Sequence, residues 1–523
     1  MPLKSWLLPL SLAVLAAVPL ASQTLSAGPE IRVSGLPFDT LFETSLAAGA
    51  DGGFLAAWQD FGRTYARAFS AADTPRLAAG QQLSLEGSDV LSPPKAAALP
   101  SGTSVVVWSS TRRNPGLLDH VKIAARILDP AGAPIAGLIT LSEGDVERDG
   151  WLPTAVAVAA EPGGGFIAAW ESSGDVHARR FDEQGQPVGP EVTAGPGMYP
   201  SVASLPEGAF AVTWYRTVSD PVTAPGDVVL RLFQPDGLPA TAETRVADPL
   251  ALGVFGWDPH VSSDAAGRLT VAWSEFQISD TALASTWRVR ARRFSPQGQP
   301  LAAPLLIAET NEYGRGFLVG DVAVRPEGSF LVTWWDGATI NGGTGEEQPR
   351  PGHVLARAWN SAGIPLGAAF RVHDAQDGEH RVGEAEATPG GWIVSWVRRF
   401  GADGVRARRL SLSCGAATAL CLNGARFRAE VTWKVAATGQ QGLATPIPRT
   451  NDTGAFWFFN QANVELLVKV LDGTAVNGKF WVFYGSLTDV EFDLKVTDTS
   501  TGQVRTYHNP AGTMASRADT LAF

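Results

Sequence analysis

Gly52-Gly53-Phe54-Leu55-Ala56-Ala57-Trp58 is the stretch whose reading decides the architecture. A glycine is followed two positions later by a large apolar residue, then by a short run that ends on tryptophan. The phrase returns ending at Trp108, Trp170, Trp214, Trp273, Trp334 and Trp396, at intervals of 44 to 62 residues. Repeats of that length mean a solenoid or a propeller.

Each unit carries four strand-length segments. In the unit of Trp170 they are a, Pro153 to Ala159; b, Phe166 to Trp170; c, Val176 to Phe181; and d, Val188 to Thr193. Helical periodicity is absent from them. Between c and d runs the turn Asp182-Glu183-Gln184-Gly185-Gln186-Pro187, with relatives around Gly237, Gly298 and Gly363. Glycine there supplies a positive φ, and proline opens an edge strand that needs no amide donor. Four strands in each of seven units predict an all-β, seven-bladed β-propeller. The last unit runs through Val405 to Leu410 and lacks its fourth segment. Gly28-Pro29-Glu30-Ile31-Arg32-Val33 matches the d segment Gly189-Pro190-Glu191-Val192-Thr193, so the N-terminal strand is expected to close the ring and remove an open sheet edge.

The pattern G-x-F-x-V-x-W, V-x-A-R-x-F, D-x-x-G-x-P resembles the propeller-type repeats of large secreted bacterial proteins over residues 28 to about 413. That resemblance implies an architecture and leaves the role open, since such repeats serve many functions. The repeat tryptophans are not followed by aspartate as in WD repeats, and the chain has no S-x-D-x-G-x-x-W box and no D-x-D-x-D-G calcium loop.

Beyond the repeats, Arg426 to Val435 and Val490 to Thr497 alternate apolar and polar residues, as half-buried sandwich strands do. Asn477-Gly478 is a hairpin signal. Residues 422–523 are therefore expected to form an immunoglobulin-like β-sandwich of about seven strands. This part resembles a C-terminal module, of unassigned function, that recurs in secreted bacterial proteins. Its run Phe456-Trp457-Phe458-Phe459 reads as core.

The remaining organisation follows from composition. Lys4, an apolar run from Leu7 to Leu20 and small residues at Ala21, Ser22 and Ala27 read as a signal peptide over residues 1–22, with cleavage between 21 and 27. The expected layout is then propeller 28–413, linker 414–421 and sandwich 422–523. The protein is expected to be exported, with an extracellular, periplasmic or cell-surface location and no membrane span after signal removal. The two cysteines, Cys414 and Cys421, are expected to form a disulfide in the linker. A formal charge of −11 argues against nucleic acid as a partner. No cofactor is expected, and no metal site, because the seven histidines are scattered singly through the sequence.

Chemistry leaves a weaker trace. Zincin, nucleophile-elbow and phosphate-loop motifs are absent. The arginines that recur in segment c, Arg67, Arg126, Arg179, Arg231, Arg292, Arg357 and Arg408, read as packing elements. Long b–c connections at 109–120, 215–226, 274–287 and 335–352 mark one face as the ligand face. The residues that enter segment a on that face differ from unit to unit: Lys95, Thr154, Ser201, His260, Asp321 and Glu384. Aromatics precede several of them, namely Trp151, Tyr199, Trp257 and Phe317. Varied polar groups beside aromatic faces suit a specific ligand, and carbohydrate or another surface protein fits as partner. The competing reading is that these residues plug the channel and cap strand ends. The leading functional expectation is a non-enzymatic binding or adhesion protein. One alternative is a polysaccharide hydrolase or lyase with Asp321 and Glu384 as its acids, and another is a surface scaffold.

Overall fold

The computed structural model describes residues 24–34, 44–85, 89–112, 118–147, 155–216, 226–247, 254–277, 285–312, 314–338, 352–361, 363–374, 378–399, 404–413, 418–423, 426–450, 452–460, 462–498 and 501–523. The expected signal peptide lies outside them. The chain divides into two compact units, Leu25–Leu412 and Ser413–Phe523 with the N-terminal 24 residues.

Among the described residues the first unit contains seven antiparallel sheets, six of four strands and one of five, each built on one sequence repeat, with the last taking a strand from the N-terminal end of the chain. In the third blade strand a is Val156–Ala160, b is Phe166–Ser172, c is Asp175–Phe181 and d is Val192–Pro196. The repeated phrase has a physical reason at each end. Its glycine lies against the end of strand c: Gly165 has φ +86°, and a Cβ there would fall on the carbonyl oxygen of Phe181. The apolar residue after it stacks on its cross-strand partner, Phe166 on Phe181 at 5.2 Å and Phe54 on Phe69 at 4.7 Å. The tryptophan fills the seam with the preceding blade. Trp108 packs with Leu55 and Ala57 of the first blade, and Trp214 with Ile167 and Ala169 of the third. Full burial of such a side chain stabilises each seam by roughly 2–3 kcal/mol.

The repeated arginines staple the same seams. Arg231 donates Nη1 to Ala194 O of the preceding blade at 3.0 Å and Nε to Thr241 O of its own blade at 3.3 Å. Arg126 binds Leu83 O and Ala136 O, and Arg292 binds Val246 O and Ala302 O, in the same way. Several guanidinium groups also ride over the aromatic ring two residues on, Arg67 over Phe69 at 5.5 Å and Arg231 over Phe233 at 5.7 Å.

In the seventh blade Thr24–Arg32 pairs with Gly404–Ser413, which pairs with Gly391–Arg399 and then Glu379–Thr388. The N-terminal strand thus completes the last blade, as the missing segment implies. Val33 is fully buried in the seam with the first blade, and its carbonyl accepts from Arg67 at 3.0 Å.

Among its described residues the second unit has ten strands, where about seven are expected, in two five-stranded sheets that share one core. Phe427, Val431, Leu494 and Val496 face Phe456, Val468 and Val482 across it. In the aromatic run Phe456 and Phe458 are core while Phe459 is exposed. At Asn477-Gly478 the hairpin forms, but through the helical turn Thr474–Asn477, which Gly478 ends at φ +72°. Cys421 lies on the strand Ala419–Leu422. Cys414 and the bridge expected with it lie outside the described residues.

Candidate functional site at the channel mouth

Strand a is the innermost strand of each blade, so one of its edges has no sheet partner and its amides need other acceptors. Side chains of the preceding blade supply them. Ser45 Oγ accepts from Ala96 N at 2.8 Å, Ser201 Oγ from Val261 N at 3.0 Å, Asp321 Oδ2 from Ala385 N at 3.0 Å and Glu384 Oε2 from Leu46 N at 3.3 Å. Polar residues at the start of strand a therefore close the ring on the channel side, while arginine closes it further out.

The channel between these strands encloses about 540 Å³. Lys95 Nζ pairs with Glu384 Oε1 at 2.5 Å across the first blade, whose Ser45 donates to Glu384 Oε2 at 2.5 Å. His260 Nδ1 lies 3.3 Å from Asp321 Oδ1 and its Nε2 lies 3.8 Å from Asp258 Oδ1. Burial opposes protonation of His260. The Asp321 hydrogen bond and the charges of Asp258 and Asp321 outweigh burial and the nearby Lys95, so the imidazole pKa is raised. Glu386 lies two residues past Glu384. Burial, then the charges of Asp321 and Glu384, push its carboxyl well above the usual range.

The backbone is irregular where these groups enter. Strand a breaks register between Met198 and Ser201, Trp257 and His260, Val319 and Asp321, and Val382 and Ala385. Two of these bulges hold a non-glycine residue at positive φ, Tyr199 at +55° and Asp258 at +51°, each followed by proline. Bulges re-aim side chains, and backbone strain of this kind gathers at functional sites.

Of the residues singled out in the sequence, Lys95, Tyr199, Ser201, Trp257, His260, Asp321 and Glu384 line the channel. Phe317 does not. It is 6% exposed, packs in the seam between the fifth and sixth blades with Val289 and Trp334, and carries Arg315 over its ring at 5.3 Å. It sits on the far side of the bulge, which turns it away. Trp151 and Thr154 lie outside the described residues. Asp258 and Glu386 line the channel as well, and sequence reasoning did not select them. Asp-Pro before His260 and the alternation Glu384-Ala385-Glu386 were the available signals. Trp257 is half-buried, and its indole N–H is buried without a hydrogen-bond partner.

No family model and no curated protein matches the chain. Among solved structures, a Dyadobacter fermentans protein of unknown function has a TM-score of 0.41 and 10% identity, over 74% of this chain and 99% of that one. An α-L-arabinanase of Penicillium chrysogenum in complex with arabinobiose has a TM-score of 0.38 and 13% identity, over 66% of this chain and 99% of its own. An ulvan lyase, described as a new polysaccharide lyase family, has a TM-score of 0.43 and 10% identity, over 74% and 94%. No described helix is long and apolar enough to cross a membrane.

Proposed function

We propose that the protein is an exported carbohydrate-active enzyme that cleaves a glycosidic bond at the channel mouth. The observation that carries this reading is the meeting of three carboxyl groups, Asp321, Glu384 and Glu386, on the wall formed by the sixth and seventh blades, where burial and the charges of the other two raise the pKa of Glu386. Glycoside hydrolysis needs one carboxylic acid to protonate the leaving oxygen and a second carboxylate to act as base or nucleophile. Environments that separate the two pKa values assign the roles. Glu386 is the proton donor. Glu384 is committed to Lys95, Ser45 and the Leu46 amide. Asp321, held in place by Ala385 N, Val322 N and His260, is assigned as the second carboxylate, since no lysine pairs with it as Lys95 does with Glu384 among the described contacts. Trp257 and Tyr199 offer ring faces for a sugar on the same rim.

A second reading, a carbohydrate-binding propeller without catalysis, draws support from the amide-capping work of Asp321 and Glu384. Incubation with a panel of neutral and uronate-containing polysaccharides separates the two. Release of reducing ends that falls by about 100-fold or more in Glu386→Gln supports the enzyme. Binding without release from any member supports the second reading. An unsaturated uronate product, seen by its ultraviolet absorbance, would replace hydrolysis by elimination.

A further inference from the structure

Three of the seven histidines, separated in sequence by 20 and 7 residues, fold to one place. His353 opens the third strand of the sixth blade (His353–Trp359), His373 follows that blade's fourth strand (Phe370–Arg371), and His380 is the second residue of the seventh blade's first strand. One ring nitrogen from each lies within 4.8 Å of the others. His373 is 2% exposed and His380 fully buried, while His353 is half-buried. The His373 and His380 rings stack at 3.6 Å and 7°, and His353 stacks on His373 at 5.3 Å. The backbone holds the cluster tightly: His380 N donates to Gly352 O at 3.0 Å, and a Cβ at Gly352 would fall on Trp335 Nε1. Asp336, directly across the strand pair from His353, supplies a negative charge, which Arg315 shares.

We infer that His353, His373 and His380 form a binding site for a borderline transition-metal dication such as Zn²⁺, at the seam between the sixth and seventh blades. Two buried imidazoles with a half-buried third are an unusual set for any other purpose, since the buried pair brings polar nitrogen out of water. Imidazole without carboxylate or thiolate favours Zn²⁺, Cu²⁺ or Ni²⁺ over Ca²⁺ or Mg²⁺. An ion about 2.0–2.1 Å from each nitrogen would draw the three closer together than the 4.8 Å within which they lie. Water fills the fourth position. The ion would staple the sixth blade to the seventh, four residues before Glu384 on the same strand. The site stands apart from the carboxyl groups of the proposed reaction and does not depend on that reading.

The test titrates the full, metal-stripped chain with Zn²⁺. The expected result is one ion per chain and a melting-temperature rise of several degrees at about 100-fold excess over Kd. His353→Gln, at the half-buried ligand, should weaken affinity at least about tenfold by removing one of three bonds, while His508→Gln, an exposed histidine of the other unit, should leave it unchanged. Pulsed electron paramagnetic resonance of the Cu²⁺-loaded unsubstituted protein gives the ligand count without any variant, and three imidazoles are expected. Unchanged affinity in a folded His353→Gln protein, fewer than three imidazoles, or no saturable binding up to about 1 mM, a level weaker than any structural site, would overturn the assignment.

Discussion

Asp60, at the end of the second strand of the first blade, is 3% exposed, and its Oδ1 has no hydrogen-bond partner. Burial raises its pKa from 3.8 to about 6. A carboxyl whose folded pKa is raised binds its proton more tightly in the native state than in the unfolded chain. Its contribution to stability is therefore most favourable below pH 3.8, declines as pH rises to about 6 and is constant above that. Asp60→Asn should melt higher than the unsubstituted protein at pH 7, with the gap closing toward pH 4, as thermal scans across that range will read. Glu386 obeys the same sign in a different role, because a proton donor works only while it holds its proton. Little of this was legible in the sequence. Lys95, His260, Asp321 and Glu384 stood out because they vary where the repeat is otherwise constant. Glu386 and Asp258 did not, because their importance comes from a bulge and from neighbouring charges that no local pattern displays.

Among the elements, the repeat was readable because its residues recur in the same places from blade to blade. Tryptophan fills the seam, an aromatic pair locks b to c in blades such as those of Phe54–Phe69 and Phe210–Phe233, and arginines such as Arg126, Arg231 and Arg292 bind two carbonyls. The arginine is the most testable of these parts. Arg231→Met keeps the apolar stem but removes donors from Ala194 O and Thr241 O. We expect a loss of about 1.5–3 kcal/mol in a chemical denaturation experiment, in the range for hydrogen bonds to a charged group. A loss below about 0.5 kcal/mol would mean that water replaces the staple without penalty. The bulges in strand a and the helical turn at Thr474–Asn477 were not legible. Each inserts backbone conformations that depend on the neighbouring strand. Phe317 shows the consequence: alternation counted through the bulge puts it at the channel, while the extra residue turns it into the core.

For the whole molecule, ring closure was predictable because one repeat lacks a strand and another part of the chain carries a spare copy. The histidine cluster was not, since it forms only where the sixth and seventh blades pack side by side. The expected Cys414–Cys421 bridge belongs to this scale, next to the boundary between the two compact units. Mass spectrometry of non-reduced peptides should find these residues in one cross-linked species, and two free thiols in exported protein would refute it. The central claim, chemistry at the channel mouth, is tested most directly by measuring binding and reducing-end release for one polysaccharide side by side, in the unsubstituted protein and in Glu386→Gln, across pH. Equal binding is expected, with release by the unsubstituted protein alone and loss of that release as pH rises through the elevated pKa of Glu386. Equal release by both proteins would contradict it.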